Sequence, residues 1–272
     1  KRMQKEKIQL IEEKETLFVP LLGKALEGRK PHPILRDEKA EEIISRVEYD
    51  FSKLNIPRQS LITLAMRAKK LDEYTREYLA QSEDPLVLHL GCGLDSRVER
   101  VNPQKGRWFD LDYPEVIELR RKFYEETGQR RMIASSVMDL TWLDEIEGSS
   151  PACIIAEGLL MYLTERDVKE LFARLHDRFP GSLVCFDTYS RLTVSRINKH
   201  PSIQKTGARI YWGIDDVSEI EQWDSSYHAL GEWYFTQSED IANQSFYVRL
   251  MFKTMGLIQA ARKAHRIARM QI

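Results

Sequence analysis

Cysteine is scarce in this sequence of 272 residues, which contains three, Cys92, Cys153 and Cys185. They are too few and too far apart to form a zinc site or a disulfide framework. Two of them fall in apolar runs that predict buried strands, where cysteine packs as a small hydrophobic residue. This usage favours a reducing, cytoplasmic compartment, and we expect no bound metal.

An excess of positive charge is also missing, since 41 Lys and Arg residues oppose 42 Asp and Glu residues and leave a net charge of -1. Affinity for nucleic acid comes largely from neutralising phosphates, so we expect no nucleic-acid partner. No window approaches the roughly 18 apolar residues that would span a bilayer. The first residues, KRMQKEKIQLIEEKE, lack the apolar stretch of a signal peptide. We therefore expect no membrane partner.

Up to about residue 80 the sequence predicts helices. An apolar stretch ends at Gly28, Asp37 has the side chain of an N-cap, and Pro57 suits the first turn of a longer helix. The predicted helices are Leu17–Leu26, Asp37–Val47 and Pro57–Ala80.

From residue 85, short apolar runs alternate with amphipathic segments, which is typical of βαβ units and a mostly parallel sheet. The predicted strands are Leu86–Leu90, Arg107–Leu111, Met132–Ala134, Ala152–Ala156 and Ser182–Asp187. The clearest predicted helices between them are Pro114–Thr127 and Glu165–Phe179. We expect a strand, a helix and a second strand to close the sheet with an antiparallel edge. These last elements are Tyr227–Phe235, Ser238–Met255 and Ile258–Ala268.

The first predicted strand runs directly into Gly91-Cys92-Gly93-Leu94-Asp95-Ser96. Glycine at both positions lets the backbone turn sharply and approach a ligand without a Cβ atom in the way. The following helix would point its N-terminus at that ligand. A plain tight turn between a strand and a helix has the same pattern, so this motif alone leaves both interpretations open.

An acid follows at the spacing that a nucleoside cofactor requires. The second strand leads into Asp110-Leu111-Asp112, about 20 residues after the glycines, where a carboxylate can accept hydrogen bonds from both ribose hydroxyls. Asp112 is the better candidate because it lies at the exit of the strand. The alternative is that Asp112 only caps the helix that begins at Pro114.

Two cofactor classes fit this pair of features, NAD and S-adenosylmethionine. The dinucleotide fingerprint requires a third glycine three residues after the second, and this sequence has Ser96 there, preceded by Asp95. A carboxylate is an awkward neighbour for a pyrophosphate but is compatible with a sulfonium and an ammonium group. The sequence therefore favours S-adenosylmethionine.

Three motifs, LHLGCGLDSR, WFDLDYPEVIELRR and IIAEGLLMYL, together resemble the leucine carboxyl methyltransferase-like family, especially its bacterial branch of polyketide-synthesis O-methyltransferases. The resemblance runs from about Arg36-Asp37 to Trp212-Gly213. It implies a Rossmann-like α/β fold of the class I methyltransferases, with a mostly parallel seven-stranded sheet. It also implies an N-terminal helical extension over residues 1–80 and a cofactor-binding domain over residues 81–272, with a lid insertion at about 190–225.

The resemblance implies which residues hold the nucleoside cofactor. Gly91 and Gly93 would line its methionine part, and Asp112 would bind its ribose. Asp139 and Leu140, after the third strand, match a loop whose acid and adjacent backbone hold the adenine.

Two further charged residues carry implied roles in cofactor binding. Arg67 matches an arginine that pairs with the cofactor's carboxylate, for which a guanidinium fork is well suited. Helical spacing places Arg67 on the same face as Leu71, Tyr74 and Tyr78, whereas an exposed helix arginine is the alternative. Glu157 follows four apolar residues, where an unpaired charge is costly. By resemblance it would pair with the cofactor's ammonium group; the alternative is a capping or paired structural carboxylate.

Methyl transfer is an in-line displacement, and the acceptor pocket is expected outside the carboxyl ends of the fourth and fifth strands. Tyr162 is implied to orient the acceptor, with core packing as the alternative. Asp187 could serve as a general base or could cap the next turn. Residues of the predicted lid would contact the acceptor or pack the lid onto the sheet. They are His200, Arg209, Tyr211 and Trp212.

These features predict an S-adenosylmethionine-dependent methyltransferase that acts on an oxygen of a small-molecule acceptor. A carboxylate acceptor would need only positioning, whereas a hydroxyl acceptor would need a base, and the sequence leaves both open. The alternatives are an NAD-dependent oxidoreductase on the same scaffold, a carboxyl methyltransferase acting on a protein C-terminus, and a binding module without turnover.

Overall fold

The computed structural model describes residues 6–7, 17–54, 56–148, 150–199 and 209–272. A seven-stranded sheet lies at the centre, with helices on both faces. The only additional β pairing in the described residues joins Glu6–Lys7 to Val47–Glu48. No helix in the described ranges is long and apolar enough to cross a bilayer.

The seven strands are β1 (Leu86–Leu90), β2 (Arg107–Asp112), β3 (Arg130–Ala134), β4 (Ala152–Ala156), β5 (Leu183–Tyr189), β6 (His228–Tyr234) and β7 (His265–Gln271). Their order in the sheet is β3-β2-β1-β4-β5-β7-β6, in which the first five strands along the chain are parallel. The last strand, β7, is antiparallel to both of its neighbours, which gives the predicted antiparallel pairing at this end of the sheet, and β6 is the edge strand.

The helices occupy the N-terminal part of the chain and the connections between strands. The α-helices are α1 (Phe18–Gly28), α2 (Glu38–Arg46), α3 (Arg58–Gln81), α4 (Arg97–Val101), α5 (Pro114–Arg120), α6 (Glu165–Arg178), α7 (Arg191–Lys199), α8 (Phe246–Leu257) and α9 (Gln259–Arg262). Shorter 3₁₀ helices are Phe51–Leu54, Leu140–Glu145, Leu160–Tyr162, Val217–Gln222, Phe235–Gln237 and Glu239–Asn243.

The core sits on the two faces of the central strands. Every residue of β1 and β4 is buried, as expected for parallel strands covered on both sides. Side chains alternate between the faces, so Leu88 packs with the cluster of α6 and Val87 with the cluster beneath α3. Cys153 and Cys185 are buried in β4 and β5, as the apolar runs predicted.

Local signals account for where the helices begin. Asp37 caps α2 by accepting a hydrogen bond from the Ala40 amide at 2.9 Å. Thr164 and Asp167 form a capping box at the start of α6, whose buried residues recur at helical spacing. Pro57 precedes α3, the helix that lies against the sheet through Leu71.

The predicted fold class is confirmed, and β1 and β4 have the predicted bounds. The prediction of a helix over Pro114–Thr127 was too long. The chain leaves α5 after Arg120, where Phe123 and Tyr124 turn into the core beside α1.

Two C-terminal predictions were also wrong in their bounds. The predicted helix over Ser238–Met255 is a 3₁₀ helix followed by α8, because the backbone at Gln244 and Ser245 is extended. The predicted strand over Ile258–Ala268 starts only at His265. Residues Gln259–Arg262 form α9, since Gln, Ala and Arg all have high helix propensity.

Candidate functional site

The turn after β1 presents bare peptide at the carboxyl end of the sheet. Gly91 and Gly93 have φ angles of 61° and 50°, in the left-handed region that disfavours other residues. A Cβ atom on Gly91 would lie 3.0 Å from Cδ1 of Leu159, and one on Gly93 would lie 3.3 Å from Cδ2 of Leu17. Because neither residue has a Cβ atom, a narrow space stays open beside Leu159 and Leu17 that the side chain of any other residue at these two positions would fill.

The two acids of β2 have different environments. Asp110 is fully buried and bonds the guanidinium groups of Arg120 at 2.9 Å and Arg130 at 3.1 Å. Asp112, at the end of the strand, accepts hydrogen bonds from the amides of Gly93 at 2.7 Å and Tyr113 at 2.8 Å. Burial raises the pKa of Asp112, and these two amide hydrogen bonds oppose that rise.

The alternative role of Asp112 as a helix cap does not match the geometry. The N-cap of α5 is Tyr113, for which no side-chain cap hydrogen bond is found in the described part of the chain. Each carboxylate oxygen of Asp112 accepts one amide hydrogen bond and retains a second lone pair. Asp112 thus faces the glycine turn with acceptor capacity to spare.

The loop after β3 lies next to Asp112, since the Ser135 amide donates to the Asp112 carbonyl oxygen at 3.0 Å. Asp139 is exposed, caps the following 3₁₀ helix and accepts a hydrogen bond from the Thr141 hydroxyl at 2.8 Å. Leu140 begins that helix and packs partly against the core.

Arg67 connects the ends of β4 and β5. Its Nε atom donates to Oε1 of Glu157 at 3.0 Å, and its Nη1 atom donates to Oδ2 of Asp187 at 2.9 Å. Arg67 is 7% exposed, which agrees with the buried helix face that the spacing predicted. Its Nη2 atom donates no hydrogen bond to any described residue, and it lies next to the Gly158 backbone.

Glu157 is held by two guanidinium groups. Its second oxygen, Oε2, accepts a hydrogen bond from Nη2 of Arg97 at 2.5 Å. Burial alone would raise the pKa of Glu157, but Arg67 and Arg97 outweigh burial and lower it. The carboxylate therefore stays ionised and fixes both arginine side chains.

Asp187, in β5, accepts hydrogen bonds on both oxygens. The Gly158 amide donates to Oδ1 at 2.6 Å, while Oδ2 contacts Arg67 and lies 2.8 Å from Nε2 of His265. Burial would raise the pKa of Asp187, but Arg67 and His265 hold it well below its ordinary value. Such an acid is a weak base, so Asp187 is better suited to orient its neighbours.

A continuous series of hydrogen bonds between charged and polar side chains, which we call the polar chain, runs from α1 to β7. Successive members are joined by distances of 2.5 to 3.0 Å. In order, its members are Lys24, Asp95, Arg100, Asp72, Arg97, Glu157, Arg67, Asp187 and His265.

Tyr162 ends a 3₁₀ helix ahead of α6 and is 49% exposed, so it does not pack in the core. Partial burial raises the pKa of Tyr162, and the positive charge of Arg67 opposes that rise. The side chain therefore stands near the ends of β4 and β5, with its hydroxyl protonated at neutral pH.

The described part of the predicted lid contains α7 and the 3₁₀ helix Val217–Gln222, and His200 lies outside the described residues. Trp212 is buried against Phe186, as expected for a side chain that packs the lid onto the sheet. Tyr211 is 53% exposed, with the Arg209 guanidinium 5.3 Å from its ring centroid. The Tyr211 amide donates to the Met161 carbonyl, which places this segment beside Tyr162.

Sequence reasoning missed two residues of this cluster, Arg97 and His265. The partners of Arg97 include Glu157, 60 positions away, and His265 meets Asp187 across 78 positions. Arg97 ends the motif LHLGCGLDSR but received no role of its own, and His265 belongs to no motif that we interpreted. The position of Arg97 directly after the glycine turn was the one available signal.

The fold and this edge of the sheet define a class: Rossmann-like α/β proteins that bind an adenosine-containing cofactor beyond the carboxyl ends of parallel strands. The same fold occurs in a duf574 family protein from Streptomyces avermitilis, with a TM-score of 0.56 and 12% identity over 93% of this chain and 96% of that one. It also occurs in a SAM-dependent methyltransferase from Anabaena variabilis, with a TM-score of 0.51, 14% identity, and coverage of 76% of this chain and 84% of that one.

The chain belongs to the leucine carboxyl methyltransferase family, whose model matches residues 18–176. It is 36% identical to the tetracenomycin polyketide synthesis O-methyltransferase TcmP of Streptomyces glaucescens, over 97% of this chain and 98% of that protein. It is 31% identical to the S-adenosyl-L-methionine-dependent methyltransferase dpfgK of Gibberella zeae, over 80% of this chain and 81% of that protein. The protein is an S-adenosylmethionine-dependent methyltransferase.

The residues present fit this cofactor. The bare backbone at Gly91 and Gly93 leaves a cradle that Cβ atoms would fill. Asp112 offers free lone pairs for a pair of hydroxyl groups, and the Nη2 atom of Arg67 is available for a carboxylate.

Proposed function

We propose that this enzyme transfers a methyl group from S-adenosylmethionine to an oxygen atom of a small-molecule acceptor. The bound cofactor supplies an electrophilic methyl group, and the protein supplies binding and orientation. The observation that carries the proposal is the pairing of a bare glycine turn with the Asp112 carboxylate at the carboxyl edge of the sheet. The names of two relatives support it. TcmP is named a polyketide synthesis O-methyltransferase, and dpfgK is named an S-adenosyl-L-methionine-dependent methyltransferase.

The cofactor-binding roles form one part of this proposal. Asp112 would bind the ribose hydroxyls, and Gly91 and Gly93 would line the methionine part of the cofactor. Asp139 and Leu140 would hold the adenine at the loop that touches Asp112.

Arg67 would bind the cofactor's carboxylate through its Nη2 atom. The other two guanidinium nitrogens of Arg67 already donate hydrogen bonds, whereas Nη2 has no partner among the described residues. Glu157 lies close to the same end of the cofactor and would keep Arg67 in place. Both oxygens of Glu157 already accept hydrogen bonds from arginines. We therefore propose that Glu157 holds the side chains of Arg67 and Arg97 in position as well as balancing their positive charge.

The acceptor would enter beyond β4 and β5. Tyr162, half exposed beside this edge, would orient the acceptor, and Asp187 would fix the groups around it. The segment at about 190–225 would cover the pocket as a lid, which its contact with Met161 supports. In this arrangement the helices up to residue 80 complete the cofactor site through Arg67.

Calorimetric titration with S-adenosylmethionine, S-adenosylhomocysteine and NAD tests the cofactor. We expect binding of both sulfur compounds and no heat with NAD.

A second experiment tests the acceptor. The enzyme is incubated with cofactor that carries a labelled methyl group and with panels of phenols and carboxylic acids, and mass spectrometry identifies the labelled products. Binding of NAD alone would favour an oxidoreductase, and label found only on protein C-termini would replace the small-molecule acceptor.

A further inference from the structure

The connection between β6 and β7 carries a patch of exposed hydrophobic side chains. Five of the eleven large hydrophobic residues that are exposed in the described chain lie close together, along α8 and just before α9. They are Phe246, Tyr247, Leu250, Leu257 and Ile258. Tyr247 and Leu257 are the most exposed of all eleven, at 81% and 80%. Single exposed hydrophobic residues are common on protein surfaces, whereas a cluster of them marks a site of interaction.

The α8 helix has one face toward the protein and one face toward solvent. On the inner face Phe252 is buried in a cluster with Phe235. With 3.6 residues per turn, Phe246, Leu250 and Leu257 fall within an arc of about 40° on the outer face. We call these three residues the hydrophobic ridge. It runs along the whole length of α8 and points away from the core.

Positive charge accumulates around this ridge. From residue 241 to residue 272 the chain contains six Lys and Arg residues and no Asp or Glu, although the whole sequence has a net charge of -1. Three of the six form ion pairs with acids of other elements. These pairs are Lys263–Asp216, Arg266–Glu232 and Arg269–Glu77. The other three, Arg249, Lys253 and Arg262, form no ion pair with any described residue.

The three unpaired cations surround one cavity beside the hydrophobic ridge. Arg249, Lys253 and Arg262 all line this cavity, which has a volume of about 370 Å³. Thr236 and Gln237 add polar side chains to its lining, which contains no acid. A carboxylate that entered the cavity would therefore meet three positive charges and no negative one.

The ridge and the cavity lie toward the carboxyl edge of the sheet. Because β5 and β6 are both antiparallel to β7, they run in the same direction. The chain that leaves β6 toward α8 therefore emerges at the edge where β5 ends. A partner bound to α8 would lie at the edge of the sheet that also carries the glycine turn and Asp112.

We propose that the hydrophobic ridge and the neighbouring cationic cavity form a docking surface for an amphipathic helix of an acidic partner protein. Hydrophobic side chains of the partner helix would pack against the ridge. Its carboxylates would reach the cavity and pair with Arg249, Lys253 and Arg262. Amphipathic helices are commonly recognised in this way, with hydrophobic anchors at helical spacing and complementary charges beside them.

The charge of this surface favours an acidic protein over two other occupants. In a symmetric dimer the same patch faces itself, so cations without acids would repel their own copies. Surfaces that recognise anionic lipids usually carry a cluster of about four to eight Lys and Arg residues. Only three unpaired cations lie around this cavity among the described residues.

The test measures the binding of a fluorescent helical probe by anisotropy. The probe is a stapled amphipathic peptide of Leu and Glu with about 15 residues, slightly longer than α8. A comparison peptide carries Lys in place of every Glu. We expect the wild type to bind the Glu peptide about tenfold or more tightly than the Lys peptide, because only the former complements the cavity.

Matched variants assign the binding to this surface. Leu250→Gln removes part of the ridge, and Leu230→Gln is its control, since both leucines are 47% exposed. Leu250→Gln should weaken binding of the Glu peptide by about tenfold, and Leu230→Gln should match the wild type. Lys253→Gln should also weaken it, whereas Lys105→Gln, an exposed lysine just before β2, should not. All four side chains are exposed, so these variants should fold.

Several results would overturn the proposal. Among them are no binding of the Glu peptide, equal affinity for both peptides, and equal loss in Leu250→Gln and Leu230→Gln. We expect the wild type to sediment as a monomer and to leave phosphatidylserine vesicles unbound in a flotation assay. A dimer that Leu250→Gln dissociates would assign the ridge to a second copy of the chain. Vesicle binding that Leu250→Gln abolishes would assign it to a membrane.

Discussion

Asp110 and Asp112 are separated by a single residue in β2, yet they serve different purposes. Asp110 forms salt bridges with the buried guanidinium groups of Arg120 in α5 and Arg130 in β3. It therefore connects β2 to both of these elements. Asp112 lies at the end of the strand, and the hydrogen bonds that it accepts from the described residues come only from amides. A carboxylate that is buried but not neutralised by a cation is the kind of group that can bind uncharged hydroxyls.

We predict that Asp112→Ala weakens the binding of S-adenosylhomocysteine by about 1–3 kcal/mol, because the buried ribose hydroxyls would lose their acceptor. Asp112→Asn keeps one acceptor oxygen and should give an intermediate loss. Isothermal titration calorimetry measures both.

Asp84→Ala is the matched control, since this aspartate is 71% exposed at the opposite edge of the sheet. Equal affinities for Asp112→Ala and Asp84→Ala would remove Asp112 from the cofactor site.

At the residue scale, the sequence predicted where side chains lie when their placement depends on local spacing, whereas the cofactor-binding roles of these residues stay predictions. The distance along the chain from the glycines to Asp112, and the helical face of Arg67, are both local patterns. The partners of Arg67 lie 90 and 120 positions away, and tertiary structure alone brings them together. His265 escaped notice for the same reason, because its partner Asp187 lies 78 positions away.

At the scale of elements, the turn into β2 depends on Gly106. Its φ angle is 88°, and a Cβ atom there would lie 2.2 Å from the Pro85 carbonyl oxygen. That oxygen accepts a hydrogen bond from the Arg107 amide at 2.8 Å, so the backbone cannot move away without loss of this bond. The turn thereby fixes where β2 starts beside β1.

We expect Gly106→Ala to lower the free energy of unfolding by about 1–3 kcal/mol from backbone strain, with the clash adding to this loss. Gly128→Ala is the control, because a Cβ atom at Gly128 would meet nothing within 4 Å. Urea denaturation followed by circular dichroism compares the two variants. Similar midpoints for both would show that the turn relaxes without cost.

Element boundaries were predicted well where burial is uniform and poorly where it is mixed. The fully buried strands β1 and β4 have no competing interpretation. The segment from Ile258 to Ala268 begins with helix-forming residues and ends in the first residues of β7, and local propensity decides its first half.

At the scale of the whole molecule, buried charges make stability depend on pH. Burial alone would raise the pKa values of Asp95, Asp110 and Asp187, but their cationic partners hold these values well below the ordinary range. The unfolded chain binds protons more tightly than the folded chain below about pH 4, so protonation favours unfolding. Burial lowers the pKa values of His89 and His265, and these residues act in the same direction below about pH 6.5.

We therefore predict that the urea midpoint falls in two stages, modestly between about pH 6.5 and 5 and steeply below about pH 4. His265→Gln should reduce the first stage, whereas His228→Gln, at an exposed position, should leave it unchanged. Fluorescence-detected urea titrations at a series of pH values provide the measurement. A constant midpoint from pH 7 to 3.5 would show that these groups titrate alike in the folded and unfolded chains.

The polar chain between α1 and β7 also constrains how this protein can evolve. Each member between the two ends contacts two neighbours in the polar chain, so a substitution there leaves an unmatched charge at the next position. Effects of changes at adjacent members should consequently fail to sum, as is usual for residues in one network. During evolution, substitutions in the polar chain would therefore have to occur in pairs, with both members of an ion pair replaced together.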